Sequence, residues 1–179
     1  MEVKKLSLKN LGRPSLESYK ASEKLSCVVI ADNIRSGQNI GALFRNADAF
    51  GFSHVYLTGI SPIPPNKEVL KTALGATESV SWQYFQNEEA LIDTLKDNQI
   101  KLIVIEQTSA STPLGTFKPN LEDKYAIILG NEVDGVSPIF IKNADLCIEI
   151  PQVGTKHSLN VSVCAGIVMW HFFNELTAI

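Results

Sequence analysis

Cys27-Val-Val-Ile-Ala-Asp-Asn-Ile-Arg-Ser-Gly-Gln-Asn-Ile-Gly-Ala-Leu-Phe-Arg-Asn-Ala-Asp-Ala-Phe-Gly51 reads as three pieces in succession. Cys27 to Ala31 is apolar without alternation, the pattern of a strand buried on both faces. Asp32 to Gly37 is polar and ends in glycine, so the chain turns there. From Gln38 to Phe50, the residues Ile40, Leu43, Phe44 and Ala47 recur at helical spacing and form one apolar stripe. A doubly buried strand followed at once by an amphipathic helix is the repeating unit of a parallel α/β sheet.

The same alternation continues along the chain. Apolar runs at His54–Thr58, Lys101–Ile105, Tyr125–Leu129 and Leu146–Ile150 predict further strands, with the more polar Val80–Tyr84 as an edge strand. Helix-like segments lie between or after them at Lys67–Ala76, Glu88–Asp97 and Ser158–Leu176. The expected fold class is therefore α/β, a mostly parallel sheet of about six strands with helices on both faces. In such sheets ligands gather beyond the carboxyl ends of the strands, which directs attention to the loops after Ile105, Leu129 and Ile150. Ser61–Pro65 and Thr108–Pro119 read as loops, and no internal repeat or long linker divides the chain. We read residues 1–26 as a basic N-terminal arm and 27–179 as one α/β domain.

Composition agrees with one domain: 179 residues, 45% hydrophobic and 20% charged, with a formal charge of −3. That average does not announce a nucleic-acid partner, but it hides a division. Residues 1–26 carry six Lys and Arg against three Glu, net +3, which leaves ten against sixteen, net −6, for the remainder. Cys27, Cys147 and Cys164 are odd in number, sit in apolar runs and lack C-x-x-C spacing, so neither a disulfide framework nor a zinc knuckle is indicated. No metal-ligand cluster, secretory leader or membrane-spanning run is legible, and the expected location is cytoplasmic.

Three constellations carry chemistry. In the first, Gly37 and Gly41 permit a close backbone approach, Asn39 places an amide near the helix start, and Arg45 sits on a helix otherwise made of small and apolar residues. A guanidinium there can grip a phosphate or ribose oxygen by forked hydrogen bonds. An Asn-capped turn whose arginine pairs with Asp48 or Asp32 explains the segment equally well. The second, Ile128-Leu-Gly-Asn-Glu-Val-Asp-Gly-Val-Ser137, opens a buried strand into a turn with glycines at 130 and 135. Its bare amides can read an adenine edge, and a tight turn with solvated acids is the alternative. The third runs from Ile150-Pro-Gln-Val-Gly-Thr-Lys-His to Ser-Leu-Asn-Val-Ser162. Ser158 reads as a helix cap, while Asn160 between Leu159 and Val161 needs partners if buried. His157 reads as an exposed or capping residue.

Taken together and in this order, the three resemble the motifs of the SpoU-type (TrmH-like) RNA ribose 2′-O-methyltransferases of the SPOUT superfamily. The likeness covers nearly everything except the leader. The N-x-G-x-x-x-R element falls on Asn39, Gly41 and Arg45, the L-G-N-E turn on Leu129 to Glu132, and the I-P…G…S-L-N-V-S element on Ile150, Pro151, Gly154 and Ser158 to Ser162. Gln152 stands where many members have Met.

The resemblance implies a C-terminal deep trefoil knot and S-adenosylmethionine as cofactor. It implies a cofactor pocket of Leu129, Gly130, Asn131, Ile150, Pro151, Ser158 and Leu159, bordered by Glu106 and Gln107. Catalytic positions would be Arg45, Asn39, Glu132, Ser158 and Asn160, with no metal. Because a guanidinium keeps its proton in ordinary surroundings and is a poor base, Arg45 is expected to orient the 2′-oxygen and stabilise its charge rather than accept a proton. The resemblance further implies a homodimer in which the arginine of one subunit serves the other's cofactor, with the apolar helix Val161–Phe173 as its face or as part of the chain's own core. With no appended RNA-binding domain legible, tRNA is the first expected substrate and ribosomal RNA the second.

Overall fold

The computed structural model describes residues 3–177; Met1 and Glu2 of the expected arm, and residues 178–179, lie outside the described residues. In chain order it contains α1 (Leu16–Ala21), β1 (Leu25–Asp32), α2 (Gly37–Ala49), β2 (Phe52–Thr58), α3 (Lys67–Ala73), α4 (Ala76–Ser79) and β3 (Ser81–Phe85). Then come α5 (Glu88–Asp97), β4 (Ile100–Ile105), β5 (Thr112–Pro113), β6 (Lys124–Leu129), α6 (Pro138–Asn143), β7 (Leu146–Glu149) and α7 (Val161–Thr177). The strands form one sheet in the order β3-β2-β1-β6-β4-β7-β5, and every pairing is parallel.

The unalternating apolar runs have a direct explanation in the two cores. Along β1, Cys27, Val29 and Ala31 face a cluster with Ile40, Leu43 and Phe44 of α2 and Ala165, Val168 and Phe172 of α7. Val28 and Ile30 face the other cluster, with Leu91 and Leu95 of α5 and Phe140 of α6. Both sides of the central strands are covered by helices, so both sides must be apolar.

Three expectations are corrected. A seventh strand, β5, lies inside the stretch read as a loop; it pairs only Thr112 and Pro113 with Ile148 and Glu149 at the sheet edge, too short to leave a pattern and ending in a proline that only an edge tolerates. The helix expected from Lys67 to Ala76 is two, because Leu74 and Gly75 both take positive φ, 50° and 91°, and the chain turns between α3 and α4. The last helix begins at Val161 rather than Ser158. Its cap is Asn160, whose Oδ1 accepts from the Ser162 amide at 2.9 Å, so Ser158 is left in the loop.

Within the leader, Ser15 caps α1, and Tyr19 donates its hydroxyl to the Asp48 carbonyl at 2.7 Å. That bond ties the helix to the end of α2. The register Ala31 opposite Leu129 brings the carboxyl ends of β1 and β6 level, and Ile105 opposite Ile148 does the same for β4 and β7. The loops following these strands therefore meet along one edge.

Candidate active site

At that edge the three motifs are joined through side chains. Glu132, just after β6, accepts from the backbone amides of Arg35 at 3.0 Å and Ser36 at 3.2 Å. It also accepts from Asn39 Nδ2 at 2.8 Å. Ser36 caps α2 by accepting from the Asn39 amide, so the carboxylate sits against the positive end of a helix. Burial opposes ionisation of Glu132, but the hydrogen bonds from Arg35, Asn39, its own amide and Ser36 outweigh it and lower its pKa from the ordinary carboxylate value. Asn39 Oδ1 in turn accepts from Asn160 Nδ2 at 3.3 Å. The need for partners at Asn160 is thus met by Asn39 and Ser162.

A second brace holds the glycine turn. Asn131 donates to the Asn33 carbonyl at 2.7 Å and accepts from the amides of Val133 and Asp134. Asp32, fully buried at the end of β1, accepts from the Ser137 amide at 2.6 Å and from Thr58. Between these anchors the backbone of Gly130 runs so close to Gly135 and Val136 that a Cβ would overlap them. Gly135 has φ 71°, and a side chain there would strike the Glu106 carboxylate, which accepts from the Val136 and Gln107 amides at 3.1 and 2.9 Å.

These loops enclose a cavity of about 600 Å³ beyond the carboxyl ends of β4, β6 and β7. Of the residues expected there, Glu106, Gln107, Leu129, Gly130, Asn131, Ile150, Ser158 and Leu159 line it, together with Glu132 and Asn160; Pro151 does not. The side-chain Nε2 of Gln107 donates to the His157 carbonyl at 2.9 Å and closes one side. Glu106, Glu132, Asp134 and Glu149 line the cavity, and among the described residues no Lys or Arg does. Residues 151–160 are exposed throughout.

Arg45 lies elsewhere. It is exposed on α2 and lines a separate groove with Lys71, Leu74 and Ser162. Asp48 and Asp32 are engaged with Ser79 and with the Ser137 amide instead, so the structural ion pair considered for Arg45 does not form. The first turn of α7 stands between the groove and the cavity: Ser162 lines one, Asn160 and Val161 the other.

Sequence reasoning missed Cys164, Asp134 and Glu149 as cavity residues. Burial first, and the Glu106 carboxylate second, push the Cys164 thiol up to about 11, which makes it an inert wall at neutral pH. The helical period of α7 was the available signal for Cys164, since position 164 lies one turn from Asn160.

The sequence profile of the SpoU rRNA methylase family matches residues 26–170. A putative TrmH family tRNA/rRNA methyltransferase of Staphylococcus aureus is 34% identical over 162 residues, covering 89% of this chain and 63% of that protein. The 23S rRNA (guanosine-2′-O-)-methyltransferase RlmB of Neisseria meningitidis is 33% identical, covering 90% and 59%. This chain thus spans less than two thirds of the length of these relatives. Among solved structures, the TrmH/SpoU tRNA modifying enzyme of A. aeolicus superposes with a TM-score of 0.78 at 24% identity over 89% of this chain and 80% of that one. The AdoMet complex of the SpoU methyltransferase AviRb from Streptomyces viridochromogenes gives 0.77 at 19% identity, covering 90% and 62%. These two likenesses establish the fold.

Proposed function

The chain belongs to the SpoU rRNA methylase family, and on that premise we propose that it is an S-adenosylmethionine-dependent RNA ribose 2′-O-methyltransferase. The observation that carries the reading is the cavity wall: four carboxylates, no Lys or Arg among the described residues, and glycine backbone at positions 130 and 135. A ligand bearing a sulfonium and an ammonium is attracted by such a wall, and the phosphates of a dinucleotide are repelled by it. The bare amides of the 130–135 turn leave room for an adenine edge. Relatives' names include both tRNA and rRNA, so tRNA is taken first and ribosomal RNA second as substrate.

S-adenosylmethionine, when bound, supplies a methyl group activated by positive sulfur, and its transfer to an oxygen asks nothing of a metal. The remaining tasks fall to the chain. Glu132, Asn39 and Asn160 hold the cavity loops and the start of α2 in one arrangement, which is preorganisation rather than chemistry. Ser158 offers a hydroxyl at the cavity rim. Arg45 orients the ribose 2′-oxygen and stabilises the charge that develops as the hydroxyl loses its proton to a phosphate or a water.

The separation of Arg45 from the cavity supports a homodimer in which each chain brings its arginine to its partner's cavity. On α7, Val161, Ala165, Val168, Met169 and Phe172 turn inward, while Val163, Ile167 and Trp170, spaced four and three apart, remain exposed. One helix thus serves the core with one face and presents an apolar stripe with the other. The trefoil knot goes with the same reading. Among the described residues, no helix is long and apolar enough to cross a membrane, and all three cysteines are unpaired; the thiols support a cytoplasmic location.

Calorimetric titration of the chain with S-adenosylhomocysteine tests the reading. One site per chain is expected, with affinity lost in Gly130→Arg that still folds. A folded chain that gives no binding isotherm overturns it.

A further inference from the structure

We propose that the groove beside Arg45 is a second RNA contact, in which Lys71 holds a phosphodiester and Leu74 offers an apolar platform to the adjoining nucleotide. This rests on the reading of RNA as substrate. The groove has a volume of about 500 Å³ and lies between α2, the C-terminal end of α3 and the first turn of α7. Its polar side chains divide into two kinds. Thr72 donates to the Gln38 carbonyl at 2.9 Å and Asn46 to the Ser162 carbonyl at 3.4 Å; both are spent on holding the helices together. The side chains of Arg45 and Lys71 make no hydrogen bond or ion pair among the described residues, and no carboxylate lines the groove. In a domain with a net charge of −6 outside its leader, two unpaired cations facing one groove form a local site for an anion.

The close packing that creates this site is built into the first motif. At Gly41 a Cβ would overlap Thr72 and the Val69 carbonyl, so only glycine lets α3 settle this closely on α2. Arg45 lies one turn after Gly41 on the same face, which delivers the guanidinium and Lys71 to one groove. Leu74 supplies an independent observation. It caps α3 in the left-handed region at φ 50°, where glycine is strongly preferred, yet its side chain is 68% exposed. The turn between α3 and α4 accounts for the positive φ but not for a leucine there, which gains little burial, and such outliers gather where a surface is used. Together the groove offers charge for a phosphate and an apolar ledge for a base or ribose, the two contacts that an RNA strand passing Arg45 presents.

The test is fluorescence-monitored binding of bulk tRNA, and separately of a 23S ribosomal RNA fragment, across a salt series, with steady-state methylation on the same RNAs. Lys71→Gln is expected to weaken binding roughly tenfold at low salt and to lower the slope of log affinity against log salt by about 0.7–0.9, one phosphate contact. KM for RNA should rise by more than kcat falls, Lys71→Arg should restore the slope, and S-adenosylhomocysteine affinity should be unaltered. Leu74→Gly should match or exceed the wild-type Tm while weakening RNA binding, a pair of effects that no purely structural role produces. The RNA whose slope depends on Lys71 identifies the source of the phosphate. A wild-type chain that methylates RNA while Lys71→Gln keeps its slope and KM overturns the groove alone. A Lys71-dependent slope without methylation by the wild type leaves the groove standing and removes the methyltransferase reading, and a wild type that binds neither RNA overturns both.

Discussion

Asn39 Nδ2 donates to Glu132 Oε1 at 2.8 Å, across 93 residues of sequence. That one bond joins the helix following the first strand to the turn following the sixth, and the Asn160 amide extends it to the last helix.

Glu132→Gln replaces a carboxylate that receives three donors with an amide that must turn one end away. Because the residue is exposed, solvent screening reduces the effect, and a loss of about 1–2 kcal/mol at pH 7 is expected. The folded pKa is lowered, so this stability is present above the unfolded carboxylate value and is lost as pH falls through the folded one. Urea unfolding at pH 7 and pH 3 should show the gap between wild type and variant closing in acid. An equal gap at both would count against the charge-assisted cap.

Gly130→Ala places a Cβ against the backbone of Gly135 and Val136. The turn must open, at a cost of about 2–4 kcal/mol, and S-adenosylhomocysteine binding should be lost even where the variant remains folded. Thermal unfolding with and without the ligand checks this; a wild-type ligand shift in the variant would show that the turn does not form the pocket wall.

His54 packs on Tyr56 with ring centroids 4.3 Å apart and the rings tilted by 33°, and its Nε2 is buried without a hydrogen-bond partner among the described residues. Burial lowers its pKa. Below about pH 6.5 the unfolded chain therefore binds a proton that the folded chain does not, and stability declines down to the lowered folded value by at most about 1.4 kcal/mol per pH unit. His54→Phe should flatten the stability profile between pH 7 and pH 5. Parallel profiles for the two chains would contradict the assignment.

Trp170, 53% exposed in the outward stripe of α7, is the residue whose replacement by a charge should separate a dimer. Trp170→Lys is expected to sediment as a monomer at micromolar concentration with methyl transfer lost. Arg45→Ala mixed with Leu159→Arg should regain activity, because a mixed dimer restores one intact shared site. No regain from a demonstrated mixed dimer would place arginine and cavity in the same chain.

Much of this site was legible because its residues contradict their surroundings. Arg45 on a small-residue helix, Asn160 between Leu159 and Val161, and Glu132 beside a glycine turn stand out in one dimension. What stayed hidden depends on distant partners. Asp32 was weighed as a partner for Arg45, yet its acceptor capacity is used by the Ser137 amide 105 residues away. Gly135 looks like any turn glycine until Glu106 is found against it. The break at Leu74 was invisible because leucine carries no signal for positive φ. Strand β5 was invisible because two residues have no period. The alternation of strands and helices was readable because each central strand is buried twice, whereas the separation of Arg45 from the cavity follows from packing alone.

Two properties decide the function: methylation of a ribose by this chain, and preparation of the oxygen by Arg45. The direct measurement is transfer of labelled methyl from S-adenosylmethionine to tRNA and to ribosomal RNA by wild type, Arg45→Lys and Arg45→Ala, with mass spectrometric mapping of the product and a pH–rate profile. A 2′-O-methyl nucleotide is predicted at a defined position, made on the order of 100-fold more slowly by Arg45→Ala with little change in Tm, since the exposed Arg45 side chain makes no hydrogen bond or ion pair among the described residues. No methylated ribose in either RNA from a folded chain that binds S-adenosylhomocysteine would contradict the account. So would a wild-type rate in Arg45→Ala. A titrating group that vanishes in Arg45→Lys would contradict the assignment of Arg45 as an electrostatic rather than a proton-accepting residue.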